Sequence, residues 1–331
     1  MINYPITFIP ILKEKIWGGS KLQTLFGKQS TSNSVGESWE ISGVKRSVSL
    51  VANGPEKNKS LQFLIEKYQH ELVGKTVFDA FGSEFPLLIK YIDANKDLSV
   101  QVHPDDEIAK QRHNSFGKTE MWYIMQADEG ARLNIGFKKS LTEAEYEKAL
   151  TENQLMNLLH FQQVEKGDAV FIPPGKVHAI GAGVLLAEIQ QTSDITYRIY
   201  DWDRVDAEGN ARELHNEEAI VAIDFEKQDD YWLTYKKTPN HSNLIKICPF
   251  FQTNYLPVEG NVEKDYSLID SFVIYMCVGG EATITTTGGS VQLSYGQTVL
   301  IPACCKQVRI SAQKAELLEV YLPTFPVDRL A

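Results

Sequence analysis

Cysteine is scarce in this chain, with four residues in 331: Cys248, Cys277, Cys304 and Cys305. None has the two-residue spacing of a Cys-x-x-Cys metal or redox motif, and adjacent cysteines are poor disulfide partners for each other. Neither a disulfide framework nor a cysteine-based metal site is therefore expected. We predict four buried thiols, the usual environment of a free cysteine.

Long hydrophobic runs are also missing, and no run approaches the length of a membrane span. The N-terminal segment 1–5 lacks the pattern of a signal peptide. With 43% hydrophobic and 23% charged residues, the composition is that of an ordinary soluble globular protein. We expect a cytoplasmic protein without membrane contact, either a monomer or a weak homodimer. The length allows two domains or one elaborated domain.

Positive charge is in deficit, with 33 Lys and Arg against 43 Asp and Glu and a net charge of −10. This balance argues against nucleic acid as a partner. A glycine-rich phosphate loop and a dinucleotide fingerprint are absent as well. An anionic substrate is still compatible with the charge, because a ligand responds to the local field of its cleft. Lys90, Lys118 and Arg198 are cations that could make such a cleft basic.

The most informative motif is the segment 167–178, which reads Gly-x5-Pro-x-Gly-x2-His. An apolar strand over 169–172 runs into a Pro-Pro-Gly turn. Proline supplies no ladder donor and glycine relaxes φ, so the strand must end and bend there. His178 follows at once and begins the next strand. A histidine on a stiff corner is well placed to bind a metal, because holding it there costs little entropy.

The other candidate ligands precede this motif. In an alternating strand, Ser99, Gln101 and His103 share one face while two valines take the other. Glu120 begins a later strand, with Lys118 on the same face. Two nitrogen and two oxygen ligands result, a set that suits zinc better than iron, manganese or nickel. The four candidate ligands are Gln101, His103, Glu120 and His178.

Short helices are expected between the strands. Ser60 is suited to cap a helix over 61–68. The segment 140–159 should be helical, because Ser140–Glu143 fits a capping box, and 213–225 also has helical spacing. The strands predicted around the candidate ligands are 85–92, 98–103 and 169–172.

The last third of the chain contains a short internal repeat. Residues 296–302 repeat the pattern of 167–173, but no histidine follows. Joined to the strand-rich segment 272–322, this predicts a second β-barrel that has no metal. The expected fold is mainly β, with two jelly-roll β-barrel units and a few inserted or attached helices. We place a metal-binding catalytic unit at 1–240 and the metal-free unit at 241–331.

Several motifs carry a resemblance to a known family. The segment 167–178 resembles the second conserved motif of the cupin β-barrels. Gln101-x-His103 followed by Glu120 resembles the first, with glutamine in place of its first histidine and a long insertion before the glutamate. With further motifs in order over residues 17–204, the chain resembles type I mannose-6-phosphate isomerase in its short bacterial form. These further motifs are Trp17 to Gly19, Gly36 to Ser42, Gly117 to Glu120 and Gln190 to Arg198.

The resemblance implies roles for individual residues. It implies one zinc ion per chain, bound by the four candidate ligands, and two cupin units. Lys90 matches the family's substrate-facing lysine, and Lys118 the lysine two residues before the glutamate ligand. Arg198 matches the active-site arginine, with Asp194 as a nearby acid. Ser99 would help to place a sugar phosphate substrate.

The chain departs from the family pattern at two positions. Thr119 stands where some longer relatives carry histidine, and Ile180 stands where some carry tyrosine. A mechanism that rests on those side chains cannot apply here. The large helical domain of longer relatives also has no room in this chain.

The activity implied by the resemblance is the interconversion of mannose 6-phosphate and fructose 6-phosphate through an enediol. Three groups are candidates for the base that moves the proton: Lys118, Asp194 and a metal-bound hydroxide. Arg198 would stabilise negative charge. Gln101 is either a direct ligand or a partner of one. Three competing functions are an isomerase for another sugar phosphate, an iron-dependent cupin oxygenase and a non-catalytic sugar-binding cupin.

Overall fold

Antiparallel strands dominate the computed structural model, which describes residues 2–206 and 208–323. The predicted mainly β fold is confirmed, with short helices between the strands. In the first predicted unit Met1 and Ala207 lie outside the described residues, and in the second so do residues 324–331. Throughout the described part of the chain, the helices are too short or too polar to span a membrane.

The strands before residue 240 form two large antiparallel sheets and one short pair. In chain order they are β1 (Phe8–Ile9), β2 (Ile11–Gly19), β3 (Val35–Ser42), β4 (Leu50–Val51), β5 (Leu87–Ala94), β6 (Val100–Val102), β7 (Glu120–Ala127), β8 (Arg132–Phe137), β9 (Leu159–Gln163), β10 (Ala169–Ile172), β11 (His178–Ile180), β12 (Val184–Gln191), β13 (Tyr197–Tyr200) and β14 (Trp232–Leu233).

The strands after residue 240 form a separate sheet. They are β15 (Asn243–Ile247), β16 (Gln252–Asp265), β17 (Val273–Thr286), β18 (Gly289–Ser294), β19 (Thr298–Ile301) and β20 (Gln307–Tyr321). The helices are α1 (Lys21–Thr24), α2 (Leu61–Tyr68), α3 (His70–Val73), α4 (Lys75–Phe81), α5 (Asp106–His113), α6 (Glu143–Thr151), α7 (Leu155–Leu158) and α8 (Asn216–Ala222).

Two sheets pack face to face in the N-terminal part. A seven-stranded sheet has the order β14-β10-β7-β12-β5-β2-β3, and a five-stranded sheet has the order β13-β6-β11-β8-β9. Apolar side chains of both sheets fill the space between them, such as Trp122 and Leu186 from the larger sheet and Leu133 and Ile180 from the smaller. Two antiparallel sheets around one core form a β-sandwich.

The outer face of the five-stranded sheet is covered by helices. Val100 and Val102 of β6 pack in one cluster with Tyr146 of α6 and Ala219 of α8. This is the face that the sequence alternation assigned to the two valines. Because successive side chains of a strand point to opposite faces, Gln101 points into the space between the sheets.

The C-terminal sheet has an apolar interior of its own. Its three longest strands, β16, β17 and β20, have 14 or 15 residues, and the register shifts in their pairing bend them. Tyr275 and Leu293 lie in the interior cluster of this sheet. A different cluster joins the two parts of the chain, where Tyr123 and Ile189 of the seven-stranded sheet share a core with Leu318.

The two segments of the internal repeat, 167–173 and 296–302, form similar strands. β10 and β19 each have four residues, and each follows a glycine of positive φ, 94° at Gly167 and 77° at Gly296. The chain after β19 differs, because its turn packs on α3, where the Cys304 backbone N–H donates to the Glu71 carbonyl. All four cysteines are free, but Cys304 is exposed. The prediction of a buried thiol is wrong at that position.

Helix α2 begins and ends where predicted. The Ser60 hydroxyl oxygen accepts a hydrogen bond from a backbone N–H of the first turn, as its N-cap position indicated. The capping box predicted at Ser140–Glu143 is wrong by two residues. Thr142 is the N-cap and Glu145 completes the box, while the Ser140 hydroxyl donates to another carboxylate.

Other predicted elements are shorter than expected. The helix over 140–159 is split into α6 and α7, because Asn153 adopts a left-handed φ of 56°. The helix over 213–225 is limited to α8. The strands predicted at 85–92 and 98–103 are β5 and β6, each of which begins two residues later. Periodicity locates the middle of an element better than its ends.

Candidate active site

Three side chains of the five-stranded sheet lie in one row across neighbouring strands. Arg198 of β13 pairs with Gln101 of β6, and Gln101 pairs with His178 of β11. Directly opposed residues of antiparallel strands present their side chains on the same face. The row therefore points between the sheets, and it joins residues that are far apart in the sequence.

His178 is held in one orientation by the turn before it. Its Nδ1 is 2.8 Å from the carbonyl oxygen of Lys176, so Nδ1 donates its proton there and Nε2 keeps a lone pair for the site. Lys176 is itself buried, with Nζ 2.9 Å from Asp224 Oδ2. The turn is thus fixed by an ion pair as well as by its prolines.

His103, Glu120 and His178 form a buried His–Glu–His triad. One possible ligand atom of each lies within 4.8 Å of the others. The imidazole centroids are 4.7 Å apart, and His103 Nε2 is 3.3 Å from Glu120 Oε1. Two imidazole nitrogens and a carboxylate oxygen that converge in this way fit zinc or a similar divalent metal.

Gln101 adjoins the triad. Its Nε2 is 3.2 Å from Nε2 of His178. A half-turn of the amide replaces this nitrogen by Oε1, a neutral oxygen ligand. Gln101 therefore lies beside any metal that the triad holds, and its role as a direct ligand remains a prediction.

Burial and neighbouring charges together set the protonation of the triad. Burial, assisted by the positive charge of Lys118, lowers the pKa of His103 to about 3, and burial lowers the pKa of His178 as well. For Glu120, burial acts to raise the pKa, but Lys118 and the histidines outweigh it and the pKa falls well below its usual value. Neutral imidazoles beside an ionised carboxylate are the state in which such ligands bind a metal.

Lys118 stands beside the triad. Its Nζ is 2.9 Å from Glu120 Oε1 and 3.1 Å from His103 Nε2. The preceding Gly117 permits this placement, because a Cβ there would lie 2.6 Å from the backbone of Asp105. The predicted common face of Lys118 and Glu120 is confirmed by this contact.

A cleft of about 390 Å³ opens beside the triad. Its walls include every residue predicted to bind substrate or to take part in catalysis, and also the candidate ligand Gln101. These residues are Lys90, Ser99, Gln101, Lys118, Asp194 and Arg198. Residues from both sheets and their loops thus share one cavity.

The cleft also contains residues that the sequence motifs did not identify. Lys13 and Lys15 lie on one face of β2 with Trp17, and this period-2 spacing was the signal that could have found them. Glu188 lies in the apolar strand β12, where a lone carboxylate needs a partner. Six cations and three carboxylates line the cleft, so it is basic within a chain of net charge −10.

Lys90 and Glu188 form a buried ion pair on neighbouring strands, with Nζ 2.9 Å from Oε1. This is the partner that a lysine in an apolar strand requires. The indole N–H of Trp122 donates both to Glu188 Oε2 and to Glu120 Oε2, each at 3.0 Å. One indole therefore links the ion pair to the triad.

Arg198 has hydrogen-bonding capacity to spare. Its Nη1 donates to the Glu213 carbonyl oxygen at 2.6 Å, whereas its Nε is buried and has no partner within residues 2–206 and 208–323. Burial and the neighbouring Arg212 lower its pKa, but a guanidinium stays charged in proteins. A fixed cation beside Gln101 suits an anionic ligand or intermediate.

Fold and site together define a class of protein. Two antiparallel sheets enclose a buried His–Glu–His triad, with both histidines on the five-stranded side and Glu120 at the start of β7 in the other sheet. A basic cleft leads to the triad. This is a β-sandwich with a candidate metal site for an anionic ligand.

Comparison with known proteins shows the family. Residues 6–148 match the family described as phosphomannose isomerase type I, catalytic domain, and residues 240–322 match mannose-6-phosphate isomerase, cupin domain. The chain is 42% identical over 310 residues to mannose-6-phosphate isomerase ManA of Bacillus subtilis, which covers 91% of this chain and 94% of ManA. It is 35% identical over 298 residues to mannose-6-phosphate isomerase of Streptococcus mutans, covering 89% and 91% of the two chains.

Solved structures agree with this result. The crystal structure of mannose 6-phosphate isomerase from Bacillus subtilis matches with a TM-score of 0.87 at 33% identity, covering 97% of this chain and all of the other. A putative mannosephosphate isomerase from Archaeoglobus fulgidus shares the fold, with a TM-score of 0.79 at 22% identity. The chain belongs to the type I phosphomannose isomerase family, as its motifs predicted.

Proposed function

We propose that this chain interconverts mannose 6-phosphate and fructose 6-phosphate. The observation that carries the proposal is the buried triad beside a basic cleft, in a chain of the type I phosphomannose isomerase family. An aldose and a ketose differ by one hydrogen moved between C1 and C2. Because the C2 proton is only weakly acidic, the site must stabilise the enediolate that its removal leaves.

We propose that the triad and Gln101 hold zinc, one ion per chain. A bound zinc ion would supply Lewis acidity toward the sugar oxygens. The chain's own residues prepare the ligands, since the Lys176 carbonyl orients His178 and the Trp122 indole orients Glu120.

The polar side chains of the cleft would hold the substrate and its developing charge. Lys118, in contact with two members of the triad, lies where sugar oxygens must approach. Lys90 and Ser99 bind and orient the sugar hydroxyls. Arg198 uses its unpaired Nε to stabilise negative charge as the C2 proton leaves, because it cannot lose its own proton.

Proton transfer is proposed for Asp194 or Lys118. Both line the cleft, and Asp194 is exposed in the loop before β13. A base on one face of the enediol takes the proton from C2 and returns it to C1. Exchange of the C2 hydrogen with deuterium from solvent, followed by NMR, distinguishes Asp194 from Lys118 as the base. Only the variant that removes the base, Asp194→Asn or Lys118→Met, should lose the exchange.

An enzyme-coupled assay on mannose 6-phosphate tests the proposed function. We expect turnover by the zinc-loaded protein, loss of turnover with a chelator and recovery with zinc. Binding of sugar phosphates without turnover would instead indicate a sugar-binding protein. Turnover of a different aldose phosphate alone would indicate an isomerase for that sugar, and oxygen uptake by iron-loaded protein would indicate a cupin oxygenase.

The remaining features of the proposal concern organisation. Residues 1–240 are the catalytic unit, and 241–331 are a second cupin unit without metal. Separate family matches and the separate apolar interior of the C-terminal sheet support this division. We also propose a cytoplasmic monomer or weak homodimer without a nucleic-acid or membrane partner. Light scattering of the purified chain measures the oligomeric state.

A further inference from the structure

We propose that Lys13 and Ser47 form the subsite for the phosphate group of the substrate. This inference rests on the proposed function, because it concerns the far end of the same sugar phosphate. Lys13 lies on β2 and Ser47 follows β3, both line the cleft, and Lys13 Nζ is 2.8 Å from Ser47 Oγ. Neither residue belongs to a motif that the sequence singled out.

The pairing of charges in the cleft points to Lys13. Four of its six cations are paired with carboxylates: Lys15 with Glu37, Lys90 with Glu188, Lys118 with Glu120 and Arg212 with Asp201. Within the described residues, Lys13 and Arg198 are the cleft cations that lack such a partner. A phosphate of nearly two negative charges is bound best by cations that are not already neutralised.

Position separates these two cations. Arg198 is in register with Gln101, next to the triad where C1 and C2 would react. Lys13 of β2 pairs with Glu37 of β3, and strands β3, β5 and β12 stand between it and β7, which Glu120 begins. Strand spacing puts the backbones of β2 and β7 about 19 Å apart there. Because the phosphate is on C6, at the opposite end of the sugar from C1 and C2, Lys13 is the cation on the appropriate side.

The carboxylate on the facing residue of β3 does not neutralise Lys13. Glu37 is its register partner, but that carboxylate is 3.0 Å from Lys15 Nζ and accepts from the Trp39 indole at 2.6 Å. Lys13 Nζ lies 4.6 Å from the centre of the Trp39 ring, which stabilises the charge without cancelling it. Lys13 gives one proton to Ser47. Two ammonium protons and the Ser47 hydroxyl proton remain for phosphate oxygens.

Steady-state kinetics of Lys13→Met test this subsite. The variant should raise KM for mannose 6-phosphate about tenfold or more, because a charge-assisted contact to phosphate is lost. Its kcat should stay within about threefold, because the contact is equally strong in ground and transition states. Inhibition by inorganic phosphate should weaken by a similar factor. Lys13→Arg should restore most of the affinity, and Ser47→Ala should show a smaller increase in KM.

The matched control is Lys148→Met, the same change on the exposed helix α6, which should alter neither constant. Unchanged KM and unchanged phosphate inhibition in Lys13→Met, or a loss confined to kcat, would overturn the subsite while the isomerase function stands. If the unmodified chain does not turn over mannose 6-phosphate, the proposed function fails instead. Calorimetric titration of inorganic phosphate into the unmodified chain and Lys13→Met then tests the subsite, and equal affinities would overturn it.

Discussion

Gln101 and His178 face each other across strands β6 and β11, with their Nε2 atoms 3.2 Å apart. This pairing places a neutral amide beside a triad whose members are stronger metal ligands. An amide oxygen carries no charge, unlike the carboxylate of Glu120, and is a weaker zinc ligand. Gln101 should therefore adjust the affinity of the site, whereas the triad creates it.

Alanine variants test this difference. His103→Ala, Glu120→Ala and His178→Ala should abolish stoichiometric zinc binding. Gln101→Ala should weaken it by roughly 10- to 100-fold. Zinc content after dialysis and competition with a chromophoric chelator measure both effects. The circular dichroism spectrum should not change, because the apolar core between the sheets does not need the ion.

The control for these variants is exposed His241, whose alanine variant should bind zinc normally. Equal losses in Gln101→Ala and His178→Ala would contradict the graded roles. A metal-free preparation with full activity would contradict the metal site itself.

Arg198→Ala should lower kcat by roughly 100-fold or more, because the developing negative charge would lose a fixed hydrogen-bond donor. Zinc content should be unchanged, since Arg198 is beside Gln101 and outside the triad. Arg198→Lys should recover little, because a point charge does not replace the planar fork. Steady-state kinetics with parallel metal analysis check this. Near-normal turnover, or loss of zinc, would favour a structural role.

Lys176→Met should loosen the turn that positions His178. The substitution removes the ion pair with Asp224 but keeps the backbone carbonyl that accepts from His178 Nδ1. We expect about tenfold weaker zinc binding and a lower melting temperature of the metal-free chain. Lys227→Met removes an exposed ion pair nearby in the chain and should affect neither quantity. Unchanged zinc affinity in Lys176→Met would show that the prolines alone fix the turn.

Glu37 should make the fold sensitive to acid. Burial acts to raise its pKa, but Lys90, Lys15 and the indole of Trp39 lower it to about 2. The folded pKa is thus below the unfolded value of about 4.3. Its contribution to stability is therefore present above about pH 4.3 and is lost as pH falls toward 2.

Glu37→Gln provides the test. The difference in the free energy of unfolding between the unmodified chain and this variant should be largest above about pH 5 and should shrink toward pH 2. Urea titrations at several pH values measure it. Glu14→Gln on the neighbouring strand β2, where the side chain is exposed, should show little difference at any pH. A constant difference for Glu37→Gln would contradict the depressed pKa.

Local chemistry explains what could be predicted from the sequence. The Pro-Pro-Gly turn ends the strand before His178, because proline has a fixed φ and no backbone N–H to donate to a neighbouring strand. The structure has a turn at this position. The alternation of apolar and polar residues along β6 predicted that the side chain of Gln101 points away from the face that its neighbouring valines occupy. Those valines do pack under the helices. The ends of helices and the capping box were less predictable, because tertiary contacts such as that of Ser140 compete with local propensity.

The sequence by itself determined the kinds of ligand, the strand faces that carry them and the family, because these depend on residue type and short-range spacing. Only the tertiary structure decided which residues meet. Strand register set Arg198, Gln101 and His178 in one row, and sheet order paired Lys90 with Glu188 while leaving Lys13 without a carboxylate among the described residues. The physical reason is that hydrogen-bonded register between distant strands is fixed by packing of the whole core, which no local pattern contains.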